Sequence, residues 1–206
     1  MADSPKTPAS TPAPSALRDR MRHAMQDEVR VVALRLFAEQ GFENTTVGQI
    51  AQEAGLSRAS FFRYFGAKED VVLGNTEELG REVAAALAAR PDDERPWQAL
   101  RRAFDVLTRI HEDAPEQAMN FMRLLNQAEP LKARHREKRQ QWQPLLVPEI
   151  SRRLGTDPMP ADDPRALALV AAALGCLDAA TDTWMACEGG TDLSVILDRA
   201  MGALVA

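Results

Sequence analysis

Residues 45 to 69 read Thr-Thr-Val-Gly-Gln-Ile-Ala-Gln-Glu-Ala-Gly-Leu-Ser-Arg-Ala-Ser-Phe-Phe-Arg-Tyr-Phe-Gly-Ala-Lys-Glu, two short helical patterns parted by a glycine. Thr46 precedes Val47, Ile50, Ala51 and Ala54, apolar residues on one helical face, and Gln49 follows it by three positions, as a capping box requires. Gly55 offers the left-handed geometry that ends such a helix, and Ser57 can cap the next one. From Arg58 to Lys68 there are three cations and no acid. The pattern predicts a helix-turn-helix with a basic, aromatic second helix, and double-stranded DNA as its partner.

The stretch is similar to the pattern T-x-x-x-I-A-x-x-A-G-[VL]-S-x-x-x-[LF]-Y-x-[HY]-F-x-x-K-E of the TetR family of bacterial transcriptional regulators. Thr46, Ile50, Ala51, Ala54, Gly55, Leu56, Ser57, Phe61, Tyr64, Phe65, Lys68 and Glu69 fit it. The resemblance extends back through Val29, Val32, Ala33, Leu36 and Phe37 to cover residues 20 to 75. Phe62 departs from it: the family usually has Tyr there, so a hydroxyl that commonly reaches a phosphate is replaced by a bare ring. Side-chain direction turns Phe61 and Phe65 inward and leaves Arg58, Ala59, Ser60, Phe62 and Arg63 toward a groove. The resemblance implies that Arg58 and Ser60 reach base edges and that Tyr64 and Lys68 meet phosphates; Thr46 belongs to the same DNA-facing set.

Composition gives no global pull toward nucleic acid. The 206-residue chain has a net charge of −5, so its positive charge is local, in residues 58 to 68 and at Arg18, Arg20 and Arg22. The expected organisation is a disordered leader over 1–17 containing Pro5, Pro8, Pro12 and Pro14, a DNA-binding domain over 18–67 and a larger domain over 68–206. The arginines that follow the leader either form an arm that reaches a minor groove or are simply solvated. No signal peptide or membrane-length apolar run is read, so the chain is expected to be soluble and cytoplasmic, with no membrane partner.

The fold class read from periodicity is all-α, about nine helices, with no strand-period run and no repeat. A long fourth helix is predicted from Lys68 to about Ala89, a fifth from Pro96 to before Pro115, and a sixth to about Ala128. A seventh, from Pro130 to Gly155, must kink or split at Pro144 and Pro148. An eighth runs from Pro164 to about Cys187, and a ninth carries Leu193, Ile196, Leu197, Met201 and Leu204. The eighth is apolar all round: Leu167, Val170, Leu174, Leu177 and Met185 form one face, Leu169, Ala173, Cys176, Ala180 and Cys187 the other. One side can meet the chain's own core and the other, the small face of Ala173, Cys176 and Ala180, a second subunit. The family dimerises through its last two helices, which implies a homodimer through 163–187 and 191–205.

Candidate ligand residues come from inward faces of the predicted helices: His111, Met119, Met122, Asn126, Trp142 and Asp178. Each also has an ordinary structural explanation. Asp178 either holds a ligand's polar group or pairs with an arginine of its own domain, His111 is more often a satisfied core residue, and the methionines suit either a pocket or a core. No metal ligand set, catalytic motif, phosphate loop or cofactor site is read, and no enzyme is expected. Cys176 and Cys187 lie about 16 Å apart along one helix and cannot bridge each other.

The resemblance implies a ligand-responsive repressor that holds a palindromic operator as a dimer and is released by a small molecule. The Phe-Phe-Arg-Tyr-Phe run, with Arg134-His135-Arg136 through Arg152-Arg153-Leu154-Gly155, resembles a subgroup that includes the mycofactocin-system regulator. That subgroup suggests an apolar, acyl-CoA-like effector.

Overall fold

The computed structural model describes residues 14–74, 76–156 and 162–205, and among them every regular element is a helix. The chain divides into two compact units, ending and beginning at Val72 and Leu73.

In the first unit α1 (Pro14–Gln40), α2 (Val47–Glu53), α3 (Arg58–Tyr64) and α4 (Lys68–Leu73) enclose a small core. Val29, Ala33, Leu36 and Phe37 of α1 are buried together with Phe42, Ile50, Ala51, Phe61 and Phe65. The Phe61 and Phe65 rings lie 5.1 Å apart, and Phe37 and Phe42 5.0 Å apart. Covering a side chain of this size contributes roughly 2 kcal/mol each, which is how helices of six or seven residues persist. Two polar groups of α1 satisfy helix-end carbonyls: Gln26 Nε2 donates to Tyr64 O at 3.2 Å and Arg30 Nε to Val71 O at 3.3 Å. The buried Val71 and Val72 tie α4 to this unit, beyond the boundary at 67/68 expected from sequence.

The second unit holds α5 (Thr76–Ala88), α6 (Pro96–Ala103), α7 (Asp105–Asp113), α8 (Pro115–Gln127), α9 (Glu129–Gln140), α10 (Gln143–Arg153), α11 (Arg165–Ala186) and α12 (Leu193–Gly202). Twelve helices are described where about nine were read, because three expected helices are each cut in two. The long fourth breaks at Gly74, which takes φ +59°, and Thr76 Oγ1 donates to the Leu73 carbonyl at 3.0 Å. The fifth is interrupted at Phe104 (ψ −5°), and the seventh at Gln141 and Trp142, just before Pro144 opens the first turn of α10. Pro148 stays inside α10. The leader as far as residue 13 and the loop residues 157–161 lie outside the described residues. Arg18, Arg20 and Arg22 are helical, part of α1 rather than an extended arm.

Helix α11 is the centre of the second unit, packed against α10 and α12. It is long and apolar enough to cross a membrane, contrary to the sequence reading. Nine of its residues are buried against neighbouring helices, and it carries Asp178 and Asp182, which is the pattern of a core helix. The small face expected to meet a second subunit is already covered within one chain. Ala173 and Ala180 are buried, and Cys176 sits against α12 with its thiol 3.6 Å from the Ala200 carbonyl; Cys187 is exposed. The exposed stripe of α11 is instead Ala168, Ala171, Gly175, Ala179, Asp182 and Ala186, with Leu167 beside it.

Candidate DNA-reading helix and body clefts

The two-helix motif is built by its caps. Thr46 Oγ1 accepts from the Gln49 amide at 3.2 Å while Gln49 Oε1 accepts from the Thr46 amide at 2.8 Å, completing the capping box. Gly55 adopts φ +68°, and Ser57 Oγ accepts from the Ser60 amide at 3.0 Å to start α3. With Phe61 fully buried, the opposite side of α3 presents Arg58, Ala59, Phe62 and Arg63 to solvent. Arg58 makes no hydrogen bond or ion pair among the described residues, so its guanidinium is free to seek a base edge or phosphate. Phe62 is 49% exposed, an unusual position for a bare aromatic ring. Arg63 lies over the Tyr64 ring at 5.4 Å, and the Ser60 hydroxyl accepts from Ser57 at 3.0 Å, leaving its own proton to donate. Lys68 is otherwise employed. Its ammonium donates to the carbonyls of Phe42 at 2.7 Å and Thr45 at 3.0 Å and sits 4.1 Å from the Phe42 ring centre. It clamps the α1–α2 turn, which takes up the charge that was expected at a phosphate.

In the second unit the six expected ligand residues do not form one site. Met122, Asn126 and Asp178 meet in a narrow cleft between α8, α9 and α11 with a cavity of about 20 Å³. Met119 lines a second, wider cleft of about 430 Å³ between α8 and the C-terminal end of α11, with Trp184, Asn120, Arg123, Glu116 and Glu188. His111 packs edge-on against Trp184 at 5.0 Å, and its Nδ1 donates to the Leu107 carbonyl at 2.9 Å; burial holds its pKa below the ordinary histidine value. Trp142 lines neither cleft. It is 2% exposed, its Nε1 donates to the Thr76 carbonyl at 2.9 Å, and its ring lies against Gly80, so it is a core residue joining α5 to α10. Asp178 has a partner in its own domain, Arg139, whose Nη1 donates to it at 2.7 Å.

A family model described as bacterial regulatory proteins, tetR family, matches residues 30–74, and the MftR C-terminal domain matches residues 94–206. The HTH-type transcriptional regulator TcmR of Streptomyces glaucescens is 35% identical over 84% of this chain and 79% of its own. This chain belongs to the TetR family. A mycofactocin biosynthesis transcriptional regulator, MftR of Mycobacterium tuberculosis, is 27% identical over 89% of each chain. Among solved structures, the TetR-family repressor FadR of Thermus thermophilus, crystallised with lauroyl-CoA, superposes with a TM-score of 0.57 at 25% identity, covering 87% of this chain and 93% of that one. FadR of Bacillus subtilis, crystallised with stearoyl-CoA, shares the fold at 16% identity with a TM-score of 0.56. The protein is thus a helix-turn-helix transcriptional regulator whose C-terminal unit is of the MftR type.

This TetR-family body contains a charged cluster that helix-period reading passed over. Arg139 is 8% exposed, held by Asp178 on one side and by His135 on the other, where its Nη2 lies 3.3 Å from His135 Nε2. A guanidinium only donates, so His135 must accept with Nε2 and carry its proton on Nδ1. Burial, with the positive charges of Arg139 and Arg136, pushes the His135 pKa down to about 3. Burial likewise lowers Arg139, and Asp178 opposes that shift. The basic run of α9 entered the sequence reading only as part of the subgroup resemblance. Leu131, His135, Arg139 and Trp142 nevertheless recur at steps of four, four and three, and that spacing was the available signal for an inward-facing histidine and arginine.

Proposed function

We propose that the protein is a ligand-responsive repressor that works in the cytoplasm as a homodimer, placing the two copies of α3 in successive major grooves of a near-palindromic operator. The observation that carries the reading is the unpaired Arg58 on the exposed side of a capped, buried-aromatic α3, with Ala59, Ser60, Phe62 and Arg63 beside it. Thr46 and Tyr64 flank this surface, and they complete the DNA-facing set. Dimerisation is assigned to the exposed stripe of α11 and to Val195 of α12, because residues this small let two helices approach closely and the small face first considered is occupied by α12.

The effector enters the body. The 430 Å³ cleft floored by Met119 and Trp184 falls within the size range of small-molecule sites, and Glu116, Asn120, Arg123 and Glu188 make its lining more polar than apolar. Lauroyl-CoA in the Thermus thermophilus structure and the match to the MftR C-terminal domain support an acyl-CoA-like class. Binding of the effector in the body shifts the population of dimers toward one whose two heads no longer fit the operator.

Selection of bound fragments from genomic DNA, followed by footprinting, tests the reading. It should return a near-palindrome with half-site centres about 34 to 36 Å apart or a near multiple. Ala179→Arg, a charge placed in the exposed stripe, should give monomers in sedimentation that no longer hold the operator. An intact Ala179→Arg dimer would move the interface elsewhere, and operator binding indifferent to every small molecule would leave a DNA-binding regulator without an effector.

A further inference from the structure

Arg139 is incompletely matched. A guanidinium carries five N–H donors suited to a two-pronged carboxylate or phosphate. Buried Arg139 receives one oxygen of Asp178 and a neutral imidazole, and its Nε has no acceptor among the described residues. The two members of the pair are unequal: the Arg139 side chain is 10% exposed, the Asp178 side chain 40%. Asp178 can therefore turn to water and keep its own charge solvated, whereas Arg139 cannot and needs another anion in its place.

The cleft beside them collects Lys132, His135 and Arg136 from α9 and Asp178 and Asp182 from α11, while α8 contributes Met122, Leu125 and Asn126 and no charge. With Arg139, which is bonded to Asp178 and His135 of this lining, the cations outnumber the carboxylates, and more so once Asp178 turns outward. The free volume of about 20 Å³ is that of a single water, so a larger group must displace something, and Asp178 is the group able to move.

We infer that the effector carries an anionic group, a carboxylate or phosphate, which takes Arg139 in fork geometry and expels Asp178. This assignment rests on the ligand-responsive reading and adds both the chemistry of the ligand and the first event of the response. Asp178–Arg139 ties α11 to α9, the central helix of the body to the helix that lines the cleft. Exchanging Asp178 for the ligand unties them.

The test uses the full chain with three probes that share a twelve-carbon tail: laurate, lauroyl-CoA and the neutral dodecanol, measured by calorimetric titration and melting. Laurate or lauroyl-CoA should bind and raise the melting temperature while dodecanol does not. Binding of laurate identifies the carboxylate, and binding of lauroyl-CoA alone identifies the phosphates. Asp178→Asn should lower the melting temperature of the free protein yet tighten the anionic probe by about tenfold, since a competing anion is gone. A purely structural pair would not give those opposite signs. Arg139→Met should abolish binding; if that chain does not fold, Asp178→Asn decides alone. Equal binding of dodecanol, no binding of either anion, or weaker binding by Asp178→Asn overturns the inference. Release of operator DNA from the unmodified protein by an extract of host metabolites, in the face of such a result, would leave the ligand-responsive reading standing without it.

Discussion

A Cβ added at Gly80 would lie 2.5 Å from Trp142 Cδ1, 2.6 Å from Nε1 and 3.0 Å from Cγ. Carbon atoms in contact rest about 3.5 to 4.0 Å apart, so Gly80→Ala requires α5 or the indole to give way by roughly 1 Å. The ring has nowhere easy to go. Trp142 is 2% exposed and its Nε1 is bonded to the Thr76 carbonyl at 2.9 Å, so a shift that relieves the overlap also strains that bond. Overpacking of this kind costs about 1 to 3 kcal/mol, and leaving the buried indole N–H unpaired costs about as much again. The better helix propensity of alanine returns only about 1 kcal/mol. The net expectation is a loss of about 1 to 5 kcal/mol. All three tryptophans, Trp97, Trp142 and Trp184, lie in the second unit, so tryptophan fluorescence during urea unfolding reports on that unit alone. Gly48→Ala in α2 provides the contrast: its nearest neighbour would be Thr46 Oγ1 at 3.7 Å, so alanine should stabilise the first unit by up to about 1 kcal/mol, read by circular dichroism. If Gly80→Ala stabilised the body as Gly48→Ala stabilises the head, the packing of α5 on Trp142 described above would be wrong.

Glu188 ends α11 at φ +51°, between amide bonds from Glu188 to the Met185 carbonyl and from Gly189 to the Trp184 carbonyl, a position that suits glycine; Glu188→Gly should stabilise the body by about 0.5 to 1 kcal/mol, and an unchanged or lower melting temperature would refute it. Lys68→Met removes two charge-assisted bonds from the α1–α2 turn and should destabilise the first unit by about 2 kcal/mol while leaving the salt dependence of DNA binding unchanged; a slope reduced by about two per dimer would return Lys68 to the phosphate contacts. His135 protonates at an ordinary value of 6.5 when unfolded but near 3 when folded, so between these values the unfolded chain binds the extra proton and folding weakens as pH falls. The slope approaches about 1.4 kcal/mol per pH unit for this one group, and His135→Gln should flatten the body's acid response by that amount in melts between pH 6.5 and 4; parallel curves would show that His135 titrates normally.

The head was legible because its signals are local. The Thr46–Gln49 capping box, the glycine at 55 and the Ser57 cap each act within four residues of chain, and the inward turn of Phe61 and Phe65 follows from helix spacing alone. The body was legible as helices but not as partners. Both faces of α11 read as apolar, and only the packing of α12 reveals that Ala173, Cys176 and Ala180 are claimed within the chain. The break at Phe104 has no proline or glycine to announce it. Asp178 was recognised as needing a partner, yet its arginine stands 39 residues away among the charges of another helix, where no local signal singles it out. Trp142 was read as lining a pocket, and its real constraint, a glycine on α5, leaves no trace in the periodicity of either helix.

Whether α3 reads sequence through Arg58 is decided by the affinity of Arg58→Ala against the unmodified protein at one fixed salt concentration, on the selected operator and on random duplex of equal length. Direct base readout by Arg58 gives a loss of about 1 to 3 kcal/mol on the operator with random DNA bound as before. An equal loss on both duplexes would show that Arg58 meets only the phosphate backbone, and no loss on either would remove this face of α3 from the DNA.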